Sequence, residues 1–172
     1  MKTIQHPKGP ELAYGKKAKQ TLGQSIAAEA VYLSVCSQLS AIFYNDLTGF
    51  DNLQRENTQA AHCRLTAYGD MERLFQQDWH HTVLSSVIHS MYQARHCDRL
   101  KKGFLLEMKR DARSSLFPAT ENLLNWLDFS QKALQDAMIY TREWIGPQNW
   151  DTFRSLHKES TDNHSSPTYA PS

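Results

Sequence analysis

Apolar residues recur at steps of three and four along most of the chain, the period of a helix with one buried face. From about Glu11 to Tyr44 the positions Leu22, Ile26, Ala30, Leu33, Cys36 or Ser37, and Ser40 or Ile42 follow steps of three to four, and Val31, Val35 and Leu39 widen the stripe, as for a helix packed on more than one neighbour. Gly15 and Gly23 are weak points in this run. Asn45 to Asp51 collects a glycine and short polar side chains that bond to nearby backbone, which predicts a turn capped by Thr48 or Asp51. A second helix is expected over 51–68, an interruption at Gly69-Asp70, and a third helix over 71–97 that buries Leu74, Phe75, Leu84, Val87, Ile88 and Met91. The segment 98–116 has a narrower stripe in Leu100, Phe104, Leu105 and Met108 and predicts a fourth helix ended by Pro118. A fifth starts at Ala119-Thr120-Glu121, runs through Leu123, Leu127, Leu134, Met138 and Ile145, and stops at Gly146-Pro147. Beyond it, Trp150, Phe153 and Leu156 suit one short docking helix.

The ends break this pattern. Pro7, Gly9 and Pro10 make residues 1–10 a flexible arm, and the polar stretch 160–172, with Pro167 and Pro171, reads as a disordered tail. The fold class expected is all-α: a single-domain helical bundle of about five helices over 11–159, with a short strand at Glu11–Tyr14 left open. A chain of 172 residues suits one core better than two. Hydrophobic residues make up 40% and mean hydropathy is -0.60, so the helices need wide polar faces. No apolar stretch is long enough to span a bilayer and the N-terminus lacks an apolar signal core, so no membrane partner is expected and the localisation expected is cytoplasmic. Cys36, Cys63 and Cys97 form no Cys-x-x-C pair and fall within helical segments, which reads as reduced, partly buried thiols.

Histidines invite a metal hypothesis. Asp78 and His81 share a helix face, with Glu29, Glu56, Glu72 and His62 as further donors. A di-iron carboxylate bundle needs Glu-x-x-His on two helices, and the chain has none. His81, His89 and His96 form a column whose neighbours stand more than about 10 Å apart at about 1.5 Å per residue, too far to share an ion. No phosphate loop, nucleophile elbow or His-Glu-x-x-His occurs, so neither an enzyme, a cofactor nor a small-molecule ligand is expected.

Charge is more informative. The net charge is only +1, yet residues 95–113 hold Arg95, Arg99, Lys101, Lys102, Lys109, Arg110 and Arg113 against Asp98, Glu107 and Asp111, while the chain from 114 onward is net acidic. Several of these cations fall one helical turn apart and can face one phosphate backbone together, with Lys16, Lys17 and Lys19 as a second patch. The bland alternative is a solvated helix face.

Phe50-Asp51-Asn52-Leu53-Gln54-Arg55, followed by His62, Leu65, Glu72, Leu84-Ser85-Ser86 and Tyr92, resembles a helical family encoded on conjugative plasmids and integrating conjugative elements. In that family a Phe-Asp-x-Leu-x-Arg step opens a helix. The resemblance implies an accessory or regulatory role on a mobile element. One relative is a transcriptional activator of transfer genes with a ribbon-helix-helix part, and the strand which that part requires has only Glu11–Tyr14 to supply it here. The function expected is therefore a non-enzymatic, DNA-binding regulator or accessory protein, a homodimer on double-stranded DNA. A protein–protein adaptor and a metal-dependent bundle are the alternatives.

Overall fold

The computed structural model describes residues 10–39, 47–76, 78–111 and 117–154. Four long helices, α1 (Pro10–Gln38), α2 (Leu47–Phe75), α3 (His81–Asp111) and α4 (Phe117–Ile145), are followed by a short α5 over 147–154. The fold is thus an all-α bundle of five helices, without a strand among the described residues. No helix there is long and apolar enough to cross a membrane. Pro10, expected in the arm, begins α1; residues 1–9, the tail, and the stretch of the expected first helix beyond Leu39 lie outside the described residues.

Each long helix keeps one buried row at three- and four-residue steps. On α1 it is Ala18, Leu22, Ser25, Glu29, Tyr32 and Cys36; on α4 it is Leu123, Leu127, Ser130, Leu134, Ala137, Thr141 and Trp144. These two helices run antiparallel as the closest-packed pair. Small buried residues, Ala18, Ser25 and Ala28 on α1 with Ser130, Ala133 and Ala137 on α4, allow close approach of the backbones. Ser25 Oγ donates to the Ser130 carbonyl (2.7 Å) and Ser130 Oγ to that of Ser25 (2.8 Å). Antiparallel α2 and α3 form the other close pair, with Ala60, Cys63 and Ala67 facing the core on one side and Ser90, Ala94 and Cys97 on the other. The two pairs stand further apart, with larger side chains between them, and α1 and α3 occupy one diagonal, α2 and α4 the other.

Four boundaries differ from the expectation. Leu47–Phe50, expected within a turn, already belong to α2. Glu11–Tyr14 is helix, not strand. Gly69-Asp70 does not interrupt: α2 continues to Phe75 because Asp70 and Met71 are buried and hold that turn in place, and Ser86 donates to Asp70 from α3. The real break falls at 76–80, where Trp79 Nε1 donates to the Leu74 carbonyl (2.7 Å) and Arg73 binds Asp78 (2.7 Å), closing the end of α2. The expected third and fourth helices are then one helix, α3, unbroken through Cys97-Asp98. At the other end the expected stop is present: Gly146 adopts φ +97°, the left-handed region open to glycine, and Pro147 begins α5.

The core is divided. One apolar cluster gathers Leu22, Met71, Trp79, Val87, Met91, Leu134, Trp144, Trp150 and Phe153; the other gathers Tyr32, Leu53, Leu105, Leu123 and Leu127. Every long helix contributes buried polar residues between the two clusters, beside small ones such as Ala60 and Cys97: Ser25 and Glu29, Asn57 and Arg64, Asp98 and Lys101, Ser130.

Candidate nucleic-acid interface

Of the cations proposed for phosphate contact, Lys101 must be withdrawn. It lies on the buried row of α3, one turn from Asp98 and one from Leu105, and its side chain is 1% exposed. Lys101 Nζ donates to Glu29 Oε2 (3.1 Å), lies 3.6 Å from Asp98 Oδ1, and sits over the Tyr32 ring at 4.7 Å. Arg64, which no charge run or motif marks in the sequence, is the centre of this layer. Its Nη1 donates to Glu29 Oε2 and Asp98 Oδ1 (both 3.0 Å), its Nη2 to Asp98 Oδ2 (2.5 Å) and its Nε to Ser25 Oγ (2.9 Å). Burial opposes the guanidinium charge, but Asp98 and then Glu29 outweigh it and hold the Arg64 pKa above its ordinary value. Two cations and two carboxylates thus form a closed, internally neutral layer, with Tyr32 Oη donating to Asn57 (2.7 Å) at its edge. Its bonds are spent on one another, which assigns it to the architecture rather than to a ligand.

The signal for this layer was present in the sequence. Arg64, Glu29, Asp98 and Lys101 each occupy the three- and four-residue rhythm of an otherwise apolar row. Charges in such a row mark buried ion pairs as readily as a break in the row.

The remaining cations divide by partner. Lys102 lies 3.5 Å from Asp128, while Lys109 pairs with Glu121 and Lys19 with Glu72. The Glu72 bond raises the Lys19 pKa, and the Lys19 ammonium also sits over Tyr68 and Phe75 at 5.6 Å. Lys16 and Lys19 line a groove of about 630 Å³ with Gln20, Gly23, Tyr68 and Phe75 between α1 and α2, whereas Lys17 sits over Tyr140 of α4. The α1 cations therefore face two different neighbours and form no single patch. Arg110 is exposed; Arg113 lies outside the described residues.

Arg95 and Arg99 behave differently. They lie one turn apart on α3, and neither has a carboxylate partner among the described residues. The structure adds a third member, Arg154, from α5. Its guanidinium stacks over the Tyr92 ring (5.7 Å), and Tyr92 lies against Trp150 (5.8 Å). Arg95 Nε is buried without a hydrogen-bond partner. Burial, then the Arg99 charge and more weakly that of Arg154, pull the Arg95 pKa down, as expected where cations crowd together. Arg154 belongs to the acidic part of the sequence and is far from Arg95 along the chain, so only the return of α5 onto α3 brings the two together.

The metal alternative gains no geometry. Asp78 is committed to Arg73 and to His80 (2.7 Å), and His81 packs edge-on against Phe153 (5.4 Å). No group of three or more metal-ligating side chains occurs among the described residues. The three cysteines are buried free thiols; burial raises the pKa of each, and with the help of Glu56 lifts Cys97 to about 12. No protein-family model, curated protein or solved structure matches the chain.

Proposed function

We propose that this bundle is a non-enzymatic DNA-binding accessory or regulatory protein that meets the phosphate backbone along the outer face of α3, through Arg95 and Arg99. The observation that carries the reading is that these two guanidiniums stand one turn apart without a carboxylate partner among the described residues, beside a third, whereas Lys19, Lys102 and Lys109 each face a carboxylate. Unpaired guanidiniums on a rigid helix bind phosphate oxygens in bidentate fashion at little ordering cost. The resemblance to proteins of conjugative elements agrees with this role. A homodimer belongs to the same reading, because a second copy doubles the number of phosphates engaged.

Titration of a labelled duplex at several salt concentrations tests it. Affinity should fall with salt, with a log–log slope of roughly -0.9 per phosphate neutralised. Arg95→Ala with Arg99→Ala should weaken binding across all sequences and reduce the slope by about two. A flat titration at low salt removes the DNA reading. It would leave the adaptor alternative, for which the groove between α1 and α2 is the surface feature in hand.

A further inference from the structure

We infer that Arg95, Arg99 and Arg154 form one clamp for a single phosphate group, with two arms fixed on α3 and the third carried by α5. The inference rests on the proposed DNA reading for its natural ligand, and goes beyond it in making the terminal helix part of the site. Three features of the geometry carry it. Arg95 and Arg99 project from successive turns of one helix, on one face, and the charge of Arg99 is felt at Arg95. Arg154 is not a free surface arginine: its guanidinium is seated on Tyr92, one turn before Arg95, and α5 is held there by Trp150 against Tyr92 and Phe153 against His81. The Nε of Arg95 is withdrawn from solvent with nothing to donate to, an arrangement that a bound oxyanion would complete.

The acidic residues of the neighbourhood do not compete. Asp98 is locked onto Arg64 within the core, and Asp151 of α5 lies 3.8 Å from Arg142. The three cations repel one another, a cost that the burial of Trp150 and Phe153 in the core outweighs, so α5 is docked on α3 in the empty site. A phosphate carrying up to two negative charges removes that repulsion and tightens the docking of α5.

The test uses the full chain, a duplex oligonucleotide and inorganic pyrophosphate as separate probes, with hydrogen exchange of α5 as a second readout. Arg154→Ala should lower duplex affinity about tenfold, as much as Arg95→Ala. Arg154→Lys should recover only part of the loss, and Lys132→Ala on α4, an equal loss of charge, should change nothing. Duplex addition should raise exchange protection over 147–154 in the parent protein and not in the Arg95→Ala protein. If the parent binds duplex while Arg154→Ala binds it equally well, or α5 protection stays constant, the clamp is wrong and the DNA reading stands. Should pyrophosphate bind with dependence on Arg154 while duplex does not, the clamp stands with a free phosphate compound as its ligand and the DNA reading falls. Binding of neither probe removes both.

Discussion

Arg64 shows how much one side chain can determine in a bundle of this size. Replacing it with methionine keeps the volume roughly constant but leaves Glu29 and Asp98 facing Lys101 alone in a dry core. Breaking a buried pair in this way costs about 3–5 kcal/mol, so Arg64→Met should lower the urea midpoint sharply, with helix content retained up to the transition. If that variant melts like the parent, the layer contributes no such stability. Lys101 and Lys102 are adjacent in sequence and opposite in fate: one is buried on Glu29, the other exposed beside Asp128. The charge run alone does not separate them, because Asp98 and Lys101 at three residues' spacing also describe a surface pair. Only the register of α3, in which Met91, Ala94, Asp98, Lys101 and Leu105 share a row, tells them apart.

At the scale of elements, glycines that look alike in the sequence have different reasons to be there. A Cβ on Gly15 would lie 2.5–2.7 Å from the Trp144 indole, so Gly15→Ala must push α1 from α4 and should cost about 1–3 kcal/mol by overpacking. Gly69 and Gly103 have nothing within 4 Å of such a Cβ and lie inside helices, so Gly69→Ala and Gly103→Ala should each stabilise by about 0.5–1 kcal/mol. Thermal melts of the three variants check both signs. The low helix propensity of glycine predicts a break at Gly69; α2 ignores it because burial of its neighbours on α3 outweighs that local preference. The stop at Gly146-Pro147 was legible because there the backbone itself requires glycine. The merger of two expected helices into α3 was not, since a buried Asp98 looks like a helix boundary until Arg64 of another helix is placed against it.

For the molecule as a whole, the buried thiols set an alkaline limit. Cys36, Cys63 and Cys97 all have pKa values above the ordinary value of 9.0, and Tyr32 is pushed up in the same direction, first by burial. A raised pKa favours the protonated group in the folded chain. That contribution is complete below about pH 9, where the thiols of the unfolded chain begin to ionise, and is lost as pH climbs towards about 12, the value for Cys97. Urea midpoints should therefore fall steadily above pH 9, and the native protein at pH 8 should react with a thiol reagent far more slowly than the denatured chain. A midpoint independent of pH across that range would contradict the burial of these groups.

The polar layer also governs how the helices can move past one another. Displacing α1 by a single turn, about 5.4 Å, would set Glu29 against hydrocarbon and strand Arg64 with one carboxylate instead of two. Axial position is thus held at one setting, with no neighbouring stop to ratchet to. A load applied by α5 at one end can travel through the bundle as a tilt of whole rods, and sliding is closed to it.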